Sequence, residues 1–294
     1  MTLTQAVEQF TTFLRANRRS EGTIDCYRRD LLGLVRYAGD LDVEALTPDR
    51  VHRFVAADVV QLQANGSPRS PVTVNRCKAA LRSFGAWLAD TGLVPRSPAA
   101  GLEIRRTERR SPQVLTDPER KRMVKELAAR KGEAADRDRV MLELLLGTGI
   151  RLAELVGLDV ADVDLDGKHI TAHVKGGRIE TRFLNTDLRR LLRHYLRRRA
   201  AADSESPALF LSNRRQRISS RQVQARFKQW LGWAGIDRPG LSPHSLRHTF
   251  GTRLYARSKD LLLVAKALGH RCVETSRIYV HEDTAALEDA LESL

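Results

Sequence analysis

The stretch LSPHSLRHTF, residues 241 to 250, decides how the rest of the chain is read. Pro243 stands where a helix can begin, since its fixed φ suits the first helical position and its missing N–H is not needed there. From that start His244 and Arg247 fall at i and i+3, and His244 and His248 at i and i+4, which brings two imidazoles and a guanidinium together. A first helical turn also offers free N–H groups and the positive end of the dipole, both of which favour an anion. Zinc helices use the same i, i+4 spacing, but the Glu of HExxH and a third ligand are missing, so no metal is expected. His248 is expected to pack or hydrogen-bond inside, without an assigned role.

The charge of the chain says what that anion is. Among 294 residues, 50 are Lys or Arg and 36 Asp or Glu, a formal net charge of +14 that points to a polyanionic partner, nucleic acid first. A membrane surface is the competing polyanion, but it is usually met by one basic amphipathic helix, and here the basic residues are spread along the chain. The densest apolar run, MLELLLG at 141 to 147, is far too short to span a bilayer, and MTLTQAVEQF lacks the features of a signal peptide. The expected location is cytoplasmic. Cys26, Cys77 and Cys272 are far apart without CxxC spacing, so they read as buried or partly buried thiols rather than a disulfide framework or zinc site.

Leu3, Val7, Phe10, Phe13 and Leu14 recur at helical spacing, and similar patterns cover 21 to 38, 48 to 63 and 72 to 91. The third opens with TPDR, a Thr cap followed by Pro, and the fourth stops at DTGLVP. Four helices make an N-terminal domain over 1–92. The following text, LVPRSPAAGLEIRRTERRSPQVL at 93–115, is rich in Pro and Arg with little periodicity, which predicts an exposed linker. TDPE at 116 to 119 has capping-box spacing and opens a second, mostly helical domain over 116–294. That domain is interrupted at KHITAHVKGGRIETRFLN, 168 to 185, where alternation on both sides of KGG predicts a hairpin turned on Gly176 and Gly177 with Lys175 at its tip. Helices are expected again at 186 to 200, 219 to 234, 244 to 256, 260 to 268 and after 283. The fold class is therefore mainly α with a small antiparallel β-sheet.

Two more pieces carry chemistry. In GTGIRLAEL, 147 to 155, a helix from Ile150 to Val156 would set Arg151 and Glu154 on one face, with glycines letting a ligand approach its start. In ALGHRCVETSRIYVH, 267 to 281, Gly269 can end a helix, leaving His270 at its edge and Tyr279 nine positions on.

Arg151 in TGIRLAEL, Lys175 in VKGGR, His244 and Arg247 in HSLRH, His270 in LGH and Tyr279 in IYVH together resemble the ordered signature of tyrosine recombinases. That family's pattern is an Arg, a hairpin Lys, a His-x-x-Arg pair, a second His or Trp, and a Tyr, and every position is filled. TIDCYRRDLLGL, 23 to 34, resembles the start of the family's SAM-like helical core-binding domain, and the two-domain layout is most similar to the Xer branch. One departure is Gly251, where the family often has alanine.

The resemblance implies cutting and rejoining of DNA through a 3′-phosphotyrosyl intermediate, without cofactor, metal or ATP. Attack on a phosphodiester adds charge to oxygens that are already anionic, and the guanidinium forks of Arg151 and Arg247 suit that load. Tyr279 would be the nucleophile, His244 its proton acceptor, His270 a donor to a non-bridging oxygen, and Lys175 the acid that protonates the leaving 5′-oxygen. Glu154 would support a cation or His244. The helix around TVNRCKAALRSF, 73 to 84, is the candidate for DNA contact in the first domain, through Arg76, Lys78 and Arg82.

By resemblance the partners are a double-stranded recombination site clamped between the two domains, and further subunits in a homo- or hetero-tetramer joined by the tail TAALEDALESL, 284 to 294. A sister recombinase and an FtsK-like DNA translocase are the other partners this branch uses in chromosome or plasmid dimer resolution, and hence in chromosome segregation and cell division at the nucleoid. Three alternatives stand beside it: a mobile-element integrase of the same family, a type IB topoisomerase, and a non-catalytic DNA-binding protein.

Overall fold

The computed structural model describes residues 1–105, 112–174, 177–201, 205–270 and 272–279. The chain divides into two compact units, Met1–Arg109 and Arg110–Leu294.

The first unit is built from α1 (Leu3–Ala16), α2 (Glu21–Ala38), α3 (Pro48–Ala56), the short α4 (Asp58–Gln61) and α5 (Pro71–Asp90). Its core gathers one stripe from each helix, including Phe10, Leu31, Phe54, Leu81 and Phe84. Phe10 meets Phe84 edge-on at 5.4 Å between centroids. The single helix expected over 48 to 63 is broken at Ala57, whose extended backbone (φ −69, ψ 150) separates α3 from α4. The break has a packing cause: on a continuous helix Val60 would point half a turn away from Val51, and the bend lets both be buried.

The expected linker is shorter than 93–115. Val94, Ala99 and Leu102 are buried in the core of the first unit. Gly85 on α5 admits this segment, since a Cβ there would meet Ser97 Oγ at 2.6 Å and Ala99 Cβ at 3.2 Å. At the other end Leu115 is buried in the second core.

The second unit contains α6 (Asp117–Ala129), α7 (Glu133–Thr148), α8 (Leu152–Gly157), β1 (Val163–Asp164), β2 (His169–Val174), β3 (Arg178–Phe183), α9 (Thr186–Ala200), α10 (Ser220–Trp233), α11 (Pro243–Ser258) and α12 (Leu261–Leu268), followed by a 3₁₀ helix over Val273–Tyr279. Thr116 and Glu119 close the expected capping box at the start of α6. The run Val140, Met141, Leu142, Leu144, Leu145, Leu146 is buried on every side, which makes α7 the central helix of this unit. Each such side chain contributes about 1.5–3 kcal/mol by leaving water. Among the described residues, no helix is long and apolar enough to cross a membrane.

The sheet is antiparallel in the order β1-β2-β3. β2 and β3 form the expected hairpin, with Val174 opposite Arg178 and Gly177 at φ +72, while Lys175 and Gly176 lie outside the described residues. β3 turns a polar residue inward: Ile179 and Phe183 are exposed, and Arg182 is buried. Cys26 and Cys77 are partly and fully buried, but Cys272 is exposed, contrary to the sequence reading, because it lies on the outward connection from α12 to the 3₁₀ helix.

Candidate active site

The site forms where two helix ends meet. α7 ends at Gly149 in the left-handed region (φ +62), and a side chain there would also strike Phe250 and Leu268. α12 ends the same way, at Gly269 with φ +62. The last carbonyls of a helix have no partner within it and carry partial negative charge, so both ends attract cations.

Arg247, buried on the first turns of α11, joins the two ends. Its Nη1 donates to the Gly149 carbonyl at 2.5 Å and its Nη2 to the Leu268 carbonyl at 2.6 Å. Burial, together with the charges of Arg151 and Arg182, brings its pKa down to about 10, which leaves it fully charged at neutral pH.

Arg151 is not inside a helix as its spacing suggested. It is the residue before α8, with extended backbone (φ −72, ψ 148), because the chain reverses at Gly149 before the next helix starts. Glu154 reaches back from α8 to accept from the Arg151 backbone N–H at 3.0 Å and from its Nη1 at 2.6 Å. Nor is this a surface ion pair, since Glu154 is buried. Burial alone would raise the Glu154 carboxyl, but the Arg151 hydrogen bonds outweigh it and hold the group below the usual range. Arg151 Nη2 also faces the Gly269 carbonyl at 3.4 Å.

His270 follows Gly269 directly. Its Nδ1 is 2.7 Å from the Ser276 hydroxyl, and burial plus the charges of Arg247 and Arg151 lower its pKa to about 4. It is a neutral ring at pH 7. Tyr279 stacks beside it at 6.3 Å between centroids and 10° between planes, and is only 1% exposed. Burial raises the Tyr279 phenol above its ordinary pKa, and Arg247 and Arg151 oppose that rise.

The structure therefore brings Arg151, Glu154, Arg247, His270 and Tyr279 together. His244 sits on the same helix turn as Arg247 but is exposed. The histidine at the Tyr279 hydroxyl is His248, which the sequence reading left without a role: its Nδ1 is 3.2 Å away. The tyrosine ring itself lies over Gly251, where a Cβ would come within 2.6 Å of Cζ. Ser276, Arg182 and His248 are the members sequence reasoning missed; of these only His248, four residues after His244, carried a local signal. Lys175 and the tail 284–294 lie outside the described residues. Among the described residues, no three His, Cys, Asp or Glu side chains gather as a metal site.

In the first unit two of the three expected DNA contacts are engaged within the protein and the third is exposed. Arg76 forks onto Asp30 of α2 at 3.0 and 2.9 Å, while Lys78 donates to the Glu103 carbonyl at 2.9 Å. Arg82, one turn from Lys78, is exposed.

Comparison with known proteins decides what this arrangement belongs to. Residues 113–286 match the model of the Phage integrase family, and residues 7–92 match its N-terminal SAM-like domain. The chain belongs to the phage integrase family. It is similar to a curated relative, the tyrosine recombinase XerC of Azotobacter vinelandii (strain DJ / ATCC BAA-1303), at 36% identity over 94% of this chain and 91% of that protein. Among solved structures it resembles the XerH site-specific recombinase bound to palindromic difH substrate, with a TM-score of 0.74 and 22% identity over 91% of this chain and 78% of that one. The Tn1549 transposon integrase in complex with a circular intermediate DNA shares the fold equally well, at TM-score 0.75 and 17% identity over 100% of both chains. As a tyrosine recombinase of this family, the chain is an enzyme of DNA breakage and rejoining.

Proposed function

We propose that this chain is a Xer-type site-specific recombinase whose nucleophile is Tyr279. The observation that carries the reading is the convergence of Arg151, Arg247, His270 and Tyr279 on the ends of α7 and α12. The two guanidiniums grip the non-bridging oxygens of the scissile phosphate as charge builds there. His270 Nδ1 lies 2.7 Å from the Ser276 hydroxyl, and in the tautomer where that hydroxyl donates, the Nε2–H of this neutral ring donates to the same phosphate. The phenol oxygen bonds to phosphorus, its proton passes to His244, the bond from phosphorus to the 5′-oxygen breaks, and Lys175 protonates that oxygen. The phosphotyrosyl link keeps the energy of the broken bond, so a new 5′-hydroxyl reverses the step.

The partner is double-stranded DNA, met in the first unit by Lys78 and Arg82 on α5, with Arg76 stiffening α5 through Asp30. Copies assemble on two sites, each passing residues 284–294 to a neighbour. A hollow of ≈ 620 Å³ lined by Phe183, Phe250 and Leu263, with Glu180 and Lys266 also in its wall, supports a docking place for that tail. Dimer resolution in the cytoplasm, with a sister recombinase and an FtsK-like translocase, is the role this assembly fits. The test is a supercoiled plasmid carrying two direct repeats of a site selected from genomic fragments retained by the protein. Resolution into two circles supports the reading, whereas relaxation without exchange identifies a topoisomerase.

A further inference from the structure

The C-terminal end of α12 holds a third arginine that the chemistry above does not use. Arg182, inward on β3, donates from Nη1 to the Ala267 carbonyl at 2.7 Å and from Nη2 to the Leu268 carbonyl at 3.4 Å. Arg247 takes the same Leu268 carbonyl and Arg151 the next one, at Gly269. Three guanidiniums from three separate parts of the chain thus share three successive carbonyls. Their carboxylates are shared too: Arg182 Nη2 is 2.5 Å from Glu180 Oε2 and 3.6 Å from Glu154 Oε2, and Glu154 is the partner of Arg151.

Arg182 is 3% exposed, with Nη1 and Nη2 held by the Ala267 and Leu268 carbonyls and by Glu180. Its Nε is buried without a partner, a cost the chain bears at this one spot on β3. Apolar residues would have satisfied the sheet more simply, and β3 owns two of them, Ile179 and Phe183, which it leaves outside.

We propose that Arg182 is a positioning residue for the phosphate-binding arginines. It divides the α12 carbonyls and the Glu154 carboxylate with them, so that the Arg151 and Arg247 forks keep their free N–H groups aimed at the substrate rather than folding back onto the protein. This inference rests on the recombinase reading above. Without Arg182, Glu154 and the Ala267 and Leu268 carbonyls turn wholly to Arg151 and Arg247 and draw both forks inward. The loss is one of geometry at the phosphate, and displacements of about 1 Å cost on the order of 100-fold in rate.

The experiment compares wild type, Arg182→Met, Arg182→Lys and Arg151→Ala on nicked DNA carrying either the natural phosphodiester or a methylphosphonate at the scissile position. The methylphosphonate is uncharged, so its cleavage makes little demand on the arginines. The expected result is unchanged DNA binding, covalent-complex formation slowed about 10- to 100-fold in Arg182→Met on the phosphodiester, and most of that deficit removed on the methylphosphonate, in parallel with Arg151→Ala. Arg182→Lys, which keeps the charge and loses the fork, should show the same substrate-dependent deficit in smaller measure and serves if the Met variant does not fold. Equal deficits on both substrates, or cleavage as fast as wild type, would overturn the proposal while leaving the recombinase reading intact. Absence of any covalent complex from the wild type would overturn both.

Discussion

His248 Nδ1 lies 3.2 Å from the Tyr279 hydroxyl, across 31 residues of sequence, while His244, one turn earlier on the same helix, is exposed. Burial, then the charges of His244 and Arg247, lower the His248 pKa, so its ring is neutral at pH 7 and can accept a hydrogen bond from the phenol.

This pair divides the labour between two histidines. His248→Asn keeps an acceptor near the Nδ1 position, and covalent-complex formation should stay within about fivefold of wild type; His248→Leu removes it and should cost about tenfold or more. His244→Gln, at the assigned proton acceptor, should cost on the order of 100-fold. Single-turnover cleavage of nicked DNA measures all three. An Asn variant as slow as His244→Gln would move the proton to His248.

Gly251 gives the tyrosine ring its place. A methyl group there would stand 2.6 Å from Cζ and 2.7 Å from Cε1, so Gly251→Ala must push Tyr279 off its seat. Overpacking of this kind costs about 1–3 kcal/mol, or about 2–4 °C of melting temperature per kcal/mol in a unit of this size. Thermal melts of the two proteins check it, and identical melting temperatures would mean that the ring is not held over Gly251.

Much of this was legible in advance because the signals were local. Thr116 and Glu119, Gly269 and the alternation around KGG each carry their reason within a few residues. The misses have partners far away in sequence. Arg182 reads as one more polar residue of a strand until Ala267, 85 positions later, is set against it. Val94 and Leu102 are single apolar residues in Pro- and Arg-rich text, with no period to betray their burial. The break at Ala57 obeys the need to bury Val60, which propensity does not record.

Gly149 is required twice, by its positive φ and by the closeness of Phe250 and Leu268, the latter 2.7 Å from an added Cβ. Gly149→Ala should destabilise the second unit by about 2 kcal/mol or more and slow cleavage as well, since the carbonyl that holds Arg247 moves with it. Denaturant unfolding measures the first effect and covalent-complex formation the second. A stable, fully active variant would refute the joint role of this residue.

Stability should fall in mild acid. His270, at about 4, and His248, also lowered, stay neutral in the folded protein at pH values where the unfolded chain already protonates near 6.5. The unfolded state then binds more protons, so stability drops as pH falls from about 6.5 towards 4. Between pH 7.5 and 5 the wild type should lose about 1 kcal/mol more than His270→Gln, a figure already reduced for the partial exposure of the ring. Parallel losses in urea titrations at the two pH values would contradict the assignment.

The central claim is that Tyr279 becomes bonded to DNA. Labelled nicked DNA carrying selected sites, incubated without metal or ATP, should leave label on the wild-type protein and none on Tyr279→Phe, with the label mapping to the peptide that contains residue 279. Label that persists in the Phe variant, or that maps to another residue such as Tyr255, would contradict the account.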